Sequence, residues 1–220
     1  MFGCHESWLV VFVFLGWRCA LVIRVSIDGL AGLQRQFGAM EKEMQKALVM
    51  GINKTAAKGK TEVKRAVSSV FVIKQKDVAP RIRIRRASAG RFEAVIDPFG
   101  LKKRGRALHL SQFIVGNKER YLRKKGVSPK NQRGIKVRVK RGGAAKTVAG
   151  AFLIRSKRSG KLMMMQREGK AQYPIRSLHT IDVPEMFGSR RVSQRVTSCI
   201  RRALPIEMER ALAHVVRARR

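Results

Sequence analysis

The sequence predicts an α+β fold with a long N-terminal amphipathic helix, a central antiparallel or mixed basic β-sheet and a C-terminal helix. Three observations predict it. From Leu30 onward, Leu33, Phe37, Met40, Met44, Ala47, Leu48 and Ile52 recur at three-four spacing, which places them on one helical face. Short segments between residues 74 and 180 alternate apolar with polar side chains, the period of a strand that buries one face. From about Val192 to Val216 helical spacing returns at Val196, Ile200, Leu204, Met208, Leu212 and Val215.

Residues 1–21 are an apolar leader. Trp8 to Trp17 is wholly apolar and the character resumes from Cys19 to Ile23, short of the roughly 20 residues a membrane-spanning helix needs. The first residues lack the basic start of a signal peptide, and cleavage after Ala20 would put Arg18 where a small residue belongs. The leader is therefore read as an over-extended start, with a membrane-associated or signal-like leader as the alternative. Val22 to Asp28 alternates as a first strand does, and a single domain is expected over 22–220. Within it, 22–73 hold the first strand and helix, 74–180 the basic β region and 181–220 the C-terminal helix.

The first helix is expected to continue through Ala56, Val63, Ala66 and Val67 toward Val70, with Gly51-Ile52-Asn53 as its point of interruption. Strands are expected at 81–85, 91–96, 107–110, 135–140, 151–154 and 162–165. Ser88-Ala89-Gly90 reads as a hairpin turn, and Pro80 confines the first of these strands to an edge or a strand start. Basic, glycine-bearing loops lie at 102–106, 123–126 and 141–143. In the last helix, Pro205 marks a kink.

Composition points to a binding role. The chain has 49 Lys plus Arg against 14 Asp plus Glu, a formal charge of +35. Residues 74–180 carry 30 basic against five acidic side chains. Such an excess repels itself in the compact state and attracts polyanions. Cys4, Cys19 and Cys199 are isolated thiols, without the pairing of a disulfide framework or the spacing of a zinc site.

Motifs for chemistry do not assemble. Gly59-Lys60-Thr61 lacks the phosphate-loop glycine, because Lys54 stands there, and Gly142 to Thr147 reads as a turn between strands. His5, His109, His179 and His214 are scattered, and Ser88 misses a nucleophile elbow because Arg86 replaces the required glycine. Asp77, Glu93, Asp97, Glu119 and Glu168 show no paired spacing. No catalytic residue, metal or cofactor is expected.

Alternation assigns the cations. With Ile82 and Ile84 inward, Arg81, Arg83 and Arg85 share the outer face, followed by Arg86; with Ile135, Val137 and Val139 inward, Lys136, Arg138 and Lys140 face out, followed by Arg141. The loop cations Lys102, Lys103 and Arg104 join them. Two cationic strands side by side would repel, so these residues are expected to meet phosphates or an acidic protein partner. Few aromatics accompany them, which favours backbone contact over base stacking.

The succession of segments also carries a resemblance. Ala47 to Ala57 (ALVMGINKTAA), Lys64 to Val67, Lys76 to Val78, Arg81 to Ser88 (RIRIRRAS), Gly134 to Val137, Gly150-Ala151-Phe152, Arg167 to Lys170 and Pro174 to Leu178 follow one another in an order that resembles the phage minor tail protein Z family, the tail-completion proteins of lambda-like phages and prophages. It runs from about Val22 to the end. The apolar leader departs from the family pattern, as does His179-Thr180-Ile181-Asp182 where a small polar turn is usual.

The resemblance implies a non-enzymatic virion component at the head-proximal end of the tail, present in the host cytoplasm during assembly. Its partners would be copies of itself in a ring, other tail and neck proteins, and double-stranded DNA; a membrane is not among them. It gives Asn53, Gly150, Phe152, Arg167, Gly169, Pro174, Ile175 and Leu178 structural roles, with Gly150 and Gly169 expected to take unusual backbone angles. The competing expectation is a nucleic-acid-binding protein without sequence preference.

Overall fold

The computed structural model describes residues 13–14, 22–26, 42–99, 108–122, 134–169, 171 and 173–218. Within them the expected α+β arrangement is present. Helix α1 spans Lys42–Val70 and buries a stripe from Ala47 and Leu48 through Ile52, Ala56 and Val63 to Ala66 and Val67. The expected earlier turns of this helix, 30–41, lie outside the described residues.

No interruption occurs at Gly51. Both glycines of α1 are instead points of close approach to α4, the helix Arg190–Ala218. A Cβ on Gly51 would run into Met208, and one on Gly59 would lie 2.7 Å from Ile96 Cδ1 and 3.2 Å from Ile200. Packing so tight compensates the weak helix propensity of glycine. Because Gly51 meets Met208 and Gly59 meets Ile200, the two helices run antiparallel. Helix α4 continues through Pro205, which sits on its exposed side.

The helix pair lies against a four-stranded antiparallel sheet of order β1-β2-β4-β3, formed by Val13–Phe14, Val22–Ser26, Glu93–Pro98 and Ile82–Arg85 respectively. Central strand β4 inserts Ala94 and Ile96 beneath α1. The Ser88-Ala89-Gly90 turn forms as expected, closed by reciprocal 2.9 Å backbone hydrogen bonds between Ser88 and Arg91. Between α1 and β3, the short helix α2 (Gln75–Val78) and a 3-10 turn over Ala79–Arg81 reverse the chain.

Two further sheets complete the fold. A two-stranded pair joins β5 (Ile135–Val137) to β6 (Lys146–Val148), and a three-stranded sheet orders β7 (Ala151–Arg155), β8 (Leu162–Arg167) and β9 (Ile175–Ser177). They close over a second cluster of Ile114, Ile135, Val137, Ala151, Leu153 and Met164. Then α3 (Val183–Phe187) places Val183, Met186 and Phe187 in the main core, with Asp182 accepting from the Val183 N–H at its start.

Two expected strands are corrected. Of the segment read as a strand from Ala107 to Leu110, the described residues 108–110 make a single bridge, His109 to His179, and turn into a 3-10 helix over Leu110–Phe113. Leu108 and Phe113 both reach the main core while Leu110 packs on the second cluster, so this stretch stitches two cores together instead of lining one. The strand read from Ile135 to Lys140 ends at Val137. Beyond it, Val139 accepts from the Val72 N–H and Lys140 bridges Phe71, so the chain leaves the sheet to pair with the residues that follow α1.

Candidate nucleic-acid and partner interface

The first cationic segment occupies the outer edge of the four-stranded sheet. Ile82 is buried and Arg83 and Arg85 point outward, as alternation requires; Arg86 is exposed just beyond. Arg83 lies opposite Asp97 in the ladder, and its guanidinium sits 4.7 Å from the centre of the Phe99 ring, a contact that holds the charge flat against the sheet.

Arg81 behaves differently. It belongs to the 3-10 turn, not to the strand, and its side chain is 14% exposed. Its Nη1 meets Asp182 Oδ1 at 2.5 Å. That carboxylate also caps α3, so the pair ties the sheet edge to the start of a core helix. Arg81 is therefore a half-buried brace, and the outward role expected for it is corrected.

In the second segment Lys136 and Arg138 are exposed while Ile135 and Val137 are buried. Lys140 is exposed beside Phe71. Arg141 donates from its backbone N–H to Val70 O and from Nε to Ser68 O at 2.7 Å. A cation is thus set on the unsatisfied carbonyls at the C-terminal end of α1, where the helix dipole favours it. The two segments lie in different sheets, so the side-by-side repulsion considered from sequence does not arise. Lys102, Lys103 and Arg104 lie outside the described residues.

The residues carrying the family resemblance separate into braces and one cluster. Asn53 Oδ1 accepts from the Ala87 N–H at 2.8 Å and its Nδ2 donates to Ala87 O at 3.1 Å, which staples the end of β3 to α1. Leu178 exchanges backbone hydrogen bonds with Met164 and Leu110 and packs on the second cluster. Pro174, joined to Tyr173 by a cis peptide, leads into Ile175 of β9.

Gly150, Phe152, Arg167 and Gly169 gather, with Ala149, Ala151 and Gln166, around a depression of about 390 Å³. Arg167 stands 5.6 Å from the centre of the Phe152 ring, and Gln166 is held between Ala149 O and the Arg176 guanidinium. Gly150 takes a φ of 65°, as expected. Gly169 is not among the glycines of positive φ, and that expectation is corrected: it occupies an ordinary exposed bend after β8.

Sequence reasoning missed one feature. Lys54 of α1 and Arg210, Ala213, His214, Arg217 and Ala218 of α4 surround a second depression, of about 520 Å³. Its signal was present: Arg195, Arg202, Arg210 and Arg217 recur at seven, eight and seven residues, two turns each, along one flank of the helix. Among the described residues no group of three or more His, Cys, Asp or Glu side chains is placed to hold a metal, and no helix is long and apolar enough to cross a membrane.

A family model described as prophage minor tail protein Z matches residues 27–219. No curated protein and no solved structure matches the chain.

Proposed function

Since the chain belongs to the prophage minor tail protein Z family, a family of structural phage tail proteins, we propose that it acts without chemistry of its own in tail completion and head-tail joining, as one subunit of a ring at the head-proximal end of the tail. The observation that carries this reading is the family match across residues 27–219. The arrangement of the sheets supports it. Among the described residues three small antiparallel sheets have β3, β6 and β9 at their edges, and an edge strand presents backbone donors and acceptors that a neighbouring subunit can use. The exposed cations Arg83, Arg85, Arg86, Lys136, Arg138 and Lys140 would then face the genome end.

Light scattering of the full chain, at low and high salt and with or without double-stranded DNA, tests the reading. A discrete oligomer whose mass is unchanged at high salt is expected. A monomer at every concentration, binding DNA with steep salt dependence, would replace it with a nucleic-acid-binding protein of no sequence preference. That second reading draws on the outward cations of β5 and its following loop, which have no acidic partner among the described ion pairs.

A further inference from the structure

The groove between the two long helices is a separate cationic surface, remote in sequence from the basic strands. On α1 it is lined by Lys54, Lys58 and Glu62. On α4 it is lined by Arg195, Arg210 and Arg217, with Arg202 on the same flank. Two carboxylates stand in it and both are already engaged. Glu207, buried at 4% exposure, lies 2.6 Å from Lys58 Nζ and 2.8 Å from Arg210 Nη1. Glu62 lies 2.6 Å from Arg195 Nε.

Lys54, Arg202, His214 and Arg217 take part in none of the described ion pairs and are exposed along the rim. Arg195 and Arg217 are separated by 22 residues, about 33 Å along a helix. The cationic row is therefore long, with a depression at one end where Lys54, Arg210, His214 and Arg217 converge.

The geometry points to this groove as a seat for the phosphodiester backbone of double-stranded DNA, one phosphate entering the depression between Lys54 and Arg217. Composition selects this occupant over an acidic protein. Protein interfaces are built around aromatic and apolar anchors and are depleted in charge at their centre, whereas among the described residues the depression is lined by Lys54, Arg210, His214 and Arg217 and by no apolar side chain larger than alanine. Backbone contacts from Lys and Arg position a duplex without reading its sequence, so the site needs no base-reading element. It stands apart from the tail-ring reading and from the strand cations.

The test is duplex binding by the full chain, followed by fluorescence anisotropy over a salt series, for the natural protein and for Lys54→Ala/Arg217→Ala. Both side chains are exposed and neither takes part in the ion pairs that join the helices, and circular dichroism checks that helix content is kept. The single Lys54→Glu variant repeats the test through charge reversal. The double variant is expected to bind about tenfold more weakly, with a salt slope shallower by about 2, one for each lost phosphate contact. Unchanged affinity and slope in both variants would overturn the proposal. So would a natural protein that ignores duplex DNA, or one that binds polyglutamate of equal charge as tightly. Light scattering on the same samples reports the ring reading separately, since neither substitution touches a sheet edge.

Discussion

The two halves of the molecule solve the problem of excess charge in different ways. In the helix pair and its four-stranded sheet, acidic side chains are few and four of them are placed against cations. Glu207 serves Lys58 and Arg210, Glu62 serves Arg195, Asp182 serves Arg81 and Glu93 serves Arg24 and Arg91. In the region of β5 to β9 none of the described ion pairs occurs, and the cations stand outward or meet only uncharged partners, as Arg141, Arg167 and Arg176 do. The burial differs in parallel. The first region has a broad continuous core, and the second closes over six side chains. A large core can hold charged braces in fixed geometry, while a small one leaves its charges to solvent or to a partner.

The sharpest way to break the comparison is to cut into the larger core. Phe187 is fully buried among Val183, Met186 and the strands beneath. Phe187→Ala is expected to cost about 3–5 kcal/mol and to lower the thermal midpoint of the entire chain. The smaller region should fall with it, because the Leu108 to Ile114 segment anchors it to the main core. Survival of native β7–β9 exchange protection in this variant would show instead that the smaller region stands alone.

The next test acts on the smaller region only. A Cβ on Gly134 would collide with the Val148 carbonyl oxygen across β5 and β6, a backbone atom that cannot rotate away. Gly134→Ala is expected to cost about 1–3 kcal/mol. Amide exchange should accelerate in β5 and β6 and remain slow in α1 and α4. Equal acceleration everywhere would mean that the two regions form one cooperative unit.

A smaller effect probes the joint between a helix and a sheet edge. Asn53→Ala leaves both the N–H and the carbonyl of Ala87 without their partner, at an expected cost of about 1 kcal/mol for a half-buried site. Asn53→Asp keeps the acceptor but loses the donor, and should fall between the alanine variant and the natural protein in a urea titration.

What was legible in the sequence follows the range of the interactions involved. Both long helices could be read because their stripes repeat over many turns, and β3, β4, β7 and β8 because alternation persists for several residues. Strands β6 and β9 have three residues each, and α3 has five, too short for a period to declare itself. The division of the strands into three sheets is a matter of pairing between distant segments. Arg81 was misassigned for the same reason: its partner Asp182 is 101 residues away, and alternation cannot show it. The cations of the helix groove were overlooked because the apolar stripe of α4 explains the helix without them. Their alignment becomes meaningful only once Lys54 is known to lie across from Arg217.

The gentlest probe is pH, which acts where the two regions meet. His109 and His179 face each other across an isolated bridge with ring centres 4.3 Å apart, and the buried Nδ1 of His109 has no hydrogen-bond partner. Burial first, and the neighbouring His179 charge second, hold the His109 pKa below the ordinary imidazole value. A lowered pKa in the folded state means that the unfolded chain binds the proton more readily. The contribution of this group is therefore complete above about pH 6.5 and is lost as the pH falls through the lower, folded value. The urea midpoint at pH 5.5 should lie below that at pH 7.5, and the gap should shrink in His109→Gln, which cannot take up a proton. Exchange measured on the same samples should locate the loss first at Leu108 to Ile114, because protonating His109 strains the stitch between the two cores before it disturbs either of them.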